Sequence, residues 1–349
     1  MRAVGGARIM SKAISGRPRL SIVVPAPSDT AALEETLVSI LENRPDDCEV
    51  VVGLGCEYDD PWNIREEVRF VQAPIGSSMV ACANVGIASS EGEVIHVLAA
   101  GWRATEGWTD GPVARFDNGQ TAAVVPLTVA DDDHDRIVAA GIRYGRGGRR
   151  IPVQFSRKNS AASLVAKTAR PHGPALEAGF WRADFLRQAG PGFSTACGDS
   201  CADADMAVAA SRGRRRVDLD GSSRVVGGAS RQQRKASFLA GLHAERLFWR
   251  SMAGQSLPVA IVMHLVEVAR HSLARAPFGT LPMLAGRLVA LLQFGSYLPR
   301  YRQLRALLEA SREAADSSAV PTIRIDGPHA AIGRPKGSRT AVAPLRRSA

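Results

Sequence analysis

Aromatic side chains make up only 5% of this chain, and no stretch of its 349 residues holds the roughly 18 to 20 uninterrupted apolar side chains that cross a bilayer. Behind Arg2, Arg8 and Lys12 there is no apolar block, so neither a secretory signal nor a spanning helix is expected. The five cysteines, Cys48, Cys56, Cys82, Cys197 and Cys201, are an odd number and contain no Cys-x-x-Cys pair. That spacing indicates neither a disulfide framework nor a zinc knuckle, and a reducing cytoplasm is the expected compartment.

What is there suits a globular chain with an anionic partner. With 45% hydrophobic residues, the chain can bury a substantial core. Its net charge of +10 and pI near 9.9 fit a nucleotide diphosphate, an anionic membrane surface or nucleic acid, and charge alone does not choose among them. Acidic clusters lie mostly before residue 136, whereas arginines concentrate from Arg143 onward.

Residues 1–18 lack periodicity and read as a flexible leader. Ser21 to Val24, closed by Pro25 and Pro27, predicts a buried parallel strand. A helix from the Asp29 region to about Glu42 follows, then strands at Glu49–Val52, Val68–Gln72 and Val94–Leu98, with a helix over Met79–Ala88 between the last two. Such alternation implies an open α/β sheet whose ligands bind beyond the carboxyl ends of the strands. The loops at residues 25–28, 53–60 and 99–103 should therefore line one crevice. Helices are expected from Gly179 to about Gln188 and from Asp203 to Arg212, completing a domain over residues 19–235. Residues 236–315 form a helical basic extension, and 316–349 a disordered basic tail.

Three stretches, Leu20–Pro27, Gly76–Leu98 and Gly179–Met206, together resemble the family 2 glycosyltransferases. The resemblance rests on Val24-Pro25, on Ala81-Cys82-Ala83-Asn84-Val85-Gly86, on Gly92-Glu93 before an apolar strand, on Gly179-Phe180-Trp181-Arg182, and on Ala202-Asp203-Ala204-Asp205-Met206. It implies a GT-A fold, a mainly parallel sheet flanked by helices, and inverting transfer of a sugar from a nucleotide-sugar donor to a glycan or lipid-linked acceptor in polysaccharide biosynthesis. It places Pro25, Ala26, Pro27, Asp59, Asn84, Ala99 and Gly101 at the donor, and Trp181, Arg182 and Asp205 at the acceptor. Asp203 becomes the general base.

The family's metal-binding Asp-x-Asp would follow Leu98, but the chain reads Ala99, Ala100, Gly101, which carry no ligand atoms on their side chains. No divalent metal or other cofactor is expected. Guanidinium groups would replace it as the clamp on the leaving diphosphate, with Arg103 first and Arg146, Arg149 and Arg150 on a Gly-rich loop. An inactive pseudo-glycosyltransferase acting as a scaffold is the alternative.

Several features have a plain reading beside a sharp one. Asp131-Asp132-Asp133-His134-Asp135 is a solvated turn or a metal cluster; residues 143–150 are a charged hairpin or the phosphate clamp; Asn84 bridges backbone or touches donor. Cys197, Cys201 and His172 read as structural. The apolar stripes at 257–268 and 283–298, flanked by Arg270, Arg275, Arg287, Arg300, Arg302 and Arg305, pack on the core or dock the protein peripherally at an anionic inner membrane face. Gly333-Arg334-Pro335 resembles an AT-hook, yet a single copy does not make nucleic acid an expected partner.

Overall fold

The computed structural model describes residues 17–155, 170–227 and 237–318. Residues 1–16 of the expected leader over 1–18, and the AT-hook-like Gly333-Arg334-Pro335, lie outside the described residues. Strand β1 (Leu20–Ala26) is buried along its whole length, as a β-branched run between two sheet neighbours requires. Asp29 caps α1 (Thr30–Asn43) by accepting from Ala32 N at 3.0 Å, and Leu33, Leu37 and Ile40 at helical spacing turn onto the sheet. Strands β2 (Cys48–Leu54) and β3 (Val68–Gln72), helix α2 (Met79–Ser89) and strand β4 (Val94–Leu98) complete a parallel half in the order β3-β2-β1-β4. All four strands present their carboxyl ends at one edge.

The other half is mixed. Short β5 (Arg103–Ala104) and helix α3 (Asp110–Arg115) lead to β6 (Thr121–Val129), β7 (Ile137–Gly145) and β8 (Arg149–Gln154), then β9 (Ala178–Arg182), helix α4 (Ala183–Ala189), helix α5 (Gly198–Arg212) and β10 (Arg216–Val226). The sheet continues β4-β9-β6-β10-β5, with β9 antiparallel to both of its neighbours and β7–β8 a hairpin on β6. The parallel expectation thus describes β1 to β4. One local expectation changes, since the segment after Gly179 first runs as a strand, its helix starting at Ala183; residues 143–150 take the charged-hairpin form.

Strand alternation divides the core. Phe180 joins Leu33, Ile40 and Leu98 on the α1 face, while its neighbour Trp181 joins Leu186, Phe193 and Met206 on the α5 face.

Residues 237–318 supply α6 (Ser237–Arg250), α7 (Leu257–Arg275), α8 (Thr280–Leu292) and α9 (Leu298–Ser318). They are tied to the sheet domain by ions. Buried Asp205 on α5 accepts from Arg250 of α6 at 3.0 Å and from Arg300 of α9 at 2.5 Å. Glu245 of α6 accepts from Arg287 of α8 at 2.6 Å and pairs with His264 of α7 at 3.0 Å. Helices α6 and α8 cross with backbones in contact: a Cβ on Gly241 would strike the carbonyl oxygen of Met283, and one on Gly286 that of Phe238. By length and composition α7 could cross a membrane, which corrects the expectation that no segment reaches that size.

Candidate functional site

The carboxyl edge of β1, β2 and β4 is where an open α/β sheet takes its ligand. The turn after β4 is held from three sides. Ala99 N donates to Glu177 O at 2.8 Å, Ala100 N to Pro25 O at 3.3 Å, and Gly101 N to Ala32 O at 3.0 Å and Thr36 Oγ1 at 2.8 Å. Gly101 adopts φ +88°, a left-handed conformation that favours glycine. Ala99 and Ala100 offer no ligand, and among the described residues no group of three or more His, Cys, Asp or Glu could hold an ion. The residues present therefore do not fit a divalent metal here.

Arg103 follows this turn on β5 and pairs with Asp131 of the acidic run; both side chains are solvent-exposed in part. Such a surface pair contributes about 0–1 kcal/mol and exchanges readily for another anion. Asp59 is exposed on the rim, while Pro25 and Ala26 lie buried within β1 and Pro27 is half-buried at its end.

Asp203 is in a different condition. Its side chain is 0% exposed; Arg150 donates to its two oxygens at 2.9, 2.9 and 2.7 Å, and Leu176 N donates at 3.1 Å. Burial works against the charge on Arg150, but Asp203 and then Glu177 outweigh it and hold the guanidinium protonated more firmly than usual. Asp203, expected as the general base, therefore sits in this arrangement inside a buried ion pair with Arg150. The carboxylate at this corner that meets solvent is Glu177, 31% exposed and 3.7 Å from Arg150. Sequence reading missed it because only the antiparallel pairing of β9, with Leu98 opposite Ala178, brings residue 177 beside Ala99.

The remaining carried-over positions serve the fold. Asn84 gives both ends of its amide to Phe193, donating to its carbonyl and accepting from its N–H, each at 2.8 Å. Trp181 is buried in the core between Phe185 and Phe193, away from any acceptor surface. Arg182 lies at the opposite sheet edge, where it donates to the carbonyls of Thr121, Phe116 and Asn118 and lines a cavity of about 240 Å³. Asp205 is the ionic tie described above. Of the clamp arginines, Arg149 faces Glu267 at 3.8 Å and Arg146 lines a separate cavity, so neither reaches the crevice.

His96, inside β4, donates from Nδ1 to Gly179 O at 3.2 Å and stacks on Phe180 at 3.8 Å. Burial pushes its pKa down to about 3; burial and then Arg287 push that of His271 to about 4. Both folded values lie below the unfolded 6.5, so the unfolded chain binds the proton first as pH falls. Stability should be complete above that value and decline progressively below it. Thermal melts across this range should show the decline, and His96→Phe should flatten it; an unchanged slope would refute the assignment.

No family model and no curated protein matches this chain. Solved structures do. A mannosyltransferase, PcManGT from Pyrobaculum calidifontis in complex with GDP-Man and Mn²⁺, is 18% identical over 87% of each chain, with a TM-score of 0.50. TarS 1-349 from S. aureus is 13% identical over 85% of this chain and 92% of its own, with a TM-score of 0.52. Its complex with UDP is 15% identical with a TM-score of 0.51. The protein is thus of the α/β class with one central sheet between helices. Within that class its fold is GT-A.

Proposed function

We propose that this chain is a divergent, glycosyltransferase-like protein of family 2 type. It takes a nucleotide-sugar donor in the crevice and passes the sugar with inversion to a hydroxyl of a glycan or lipid-linked acceptor. The observation carrying this reading is the turn at Ala99–Gly101, followed by an exchangeable cation, Arg103, and held at Ala99 N by the carbonyl of Glu177, a residue whose carboxylate meets solvent. GDP-Man and UDP bound in the similar folds support a nucleotide donor.

Transfer requires charge stabilisation on the departing diphosphate and removal of a proton from the attacking hydroxyl. Arg103 exchanges Asp131 for a phosphate oxygen. Glu177 accepts the proton, its position held by Arg150, which Asp203 anchors from below. The exposed Asp59 accepts from hydroxyls of the nucleoside.

One observation favours a second reading, a binding protein without turnover: the carboxylate at the family's base position, Asp203, is sealed in its ion pair with Arg150. A thermal-shift panel of UDP-, GDP- and dTDP-sugars tests the common part of both readings. A donor at a hundred times its dissociation constant should add about 2.7 kcal/mol of stability. No response to any donor would remove the proposal, whereas a response without release of nucleoside diphosphate to any acceptor would select the binding protein.

A further inference from the structure

The outward surface of α7 and α8 is apolar to a degree that water-facing helices rarely are. On α7, Val259, Val262, Val266 and Leu273 recur on one face, and on α8, Leu281, Leu284, Leu288 and Leu292 do the same. Phe278, 91% exposed, joins the two stripes. Scattered exposed leucines need no explanation, but two continuous stripes on adjoining helices do.

The charges around this surface are predominantly basic. Between residues 257 and 308 the sole acid is Glu267, and it is engaged by Arg270 at 2.7 Å and Arg149 at 3.8 Å. Arg302, on α9, is exposed as well. Where α7 begins, a cavity of about 410 Å³ opens among Tyr144, Arg146, His172, Arg212, Gln255 and Val259, and no carboxylate lines it. Two guanidinium groups share this cavity. Nε of Arg212 and Oε1 of Gln255 are buried without a hydrogen-bond partner among the described residues. Val259 belongs both to the cavity wall and to the apolar face, so the two features are continuous.

We propose that the outward face of α7 and α8 lies in the plane of an anionic phospholipid bilayer, with a headgroup phosphate held between Arg146 and Arg212. The helix lies on the membrane rather than across it. His264 in its middle is buried, pairing with Glu245 of α6 and donating to Gly147 O in the β7–β8 turn at 2.9 Å. A crossing helix would leave those partners behind, whereas an in-plane one immerses the stripe and keeps its polar edge on the protein. This placement does not depend on turnover in the crevice, so its failure and that of the transferase reading are separable.

Co-sedimentation of the full chain with vesicles of phosphatidylcholine, with and without phosphatidylglycerol, provides the test. The basic residues after 318 are kept in every arm, so their contribution is constant. Binding should require the anionic lipid and weaken with salt. The pair Leu281→Glu and Leu292→Glu should reduce the partition constant by at least about tenfold. Arg146→Gln should reduce it by about fivefold, with an unchanged melting temperature. The proposal is overturned by equal binding to neutral and anionic vesicles, by undiminished binding of the leucine pair, or by a wild-type dimer that the leucine pair converts to monomer, which would make a second copy the occupant. Inorganic phosphate should compete with anionic vesicles; stabilisation by phosphate without competition would assign the cavity to the free ion and refute the headgroup site.

Discussion

An Asp205→Ala chain is expected to lose about 3–5 kcal/mol of unfolding free energy, the cost of leaving buried charges without their partner. Two guanidinium groups depend on this carboxylate, Arg250 at 3.0 Å and Arg300 at 2.5 Å, and all three side chains are largely buried. Burial alone would raise the pKa of Asp205. Arg300 and then Arg250 more than offset that, so the carboxyl stays charged below its ordinary range. Its contribution is accordingly present above that range and is lost as pH falls through the lowered folded value. Urea unfolding followed by circular dichroism and by tryptophan fluorescence measures the loss. Replacing all three partners with Leu, Met and Met should recover most of it, since apolar side chains of similar volume leave no charge unpaired. A loss below about 1 kcal/mol would mean that water relieves the site.

Glu177→Gln is expected to lower turnover by about 10²–10⁴-fold, the usual worth of a positioned base, while leaving the thermal shift with a nucleotide-sugar in place. The amide keeps the shape of the side chain and cannot take a proton. Arg150→Gln should act differently, because it uncovers a buried Asp203 and should cost about 3–5 kcal/mol of stability. The contrast separates a group that meets substrate from one that positions it. Full turnover in Glu177→Gln would remove that residue from the chemistry and return attention to Asp203, which would then have to be released from Arg150 before it could act.

The parallel half of the fold was legible because its determinants are local. Runs such as Val94–Leu98 are buried on both faces and bounded by turn residues, and Asp29 announces the helix it caps. The mixed half was less so. Strand β9 contains the Gly179-Phe180-Trp181-Arg182 stretch and continues directly into a helix, and only pairing with β4 and β6 decides where one ends. The site was legible in location and poorly legible in its residues. Asn84, Trp181, Arg182 and Asp205 match a family pattern, but tertiary partners absorb each of them: the Phe193 backbone, the core, three carbonyls at the far edge, and two arginines. A side chain's name does not record what it will be buried against.

The glycine-lined crossing of α6 and α8 has a practical corollary. Main chain rests on main chain at Gly241 and Gly286, so the pitch of the leucine-bearing plane against the crevice is set without side-chain spacers. Recolouring that plane with charge should leave its tilt unaltered, whereas a single methyl group added at the crossing would pry the plate away and reorient it. Adhesion and geometry can thus be engineered as separate dials.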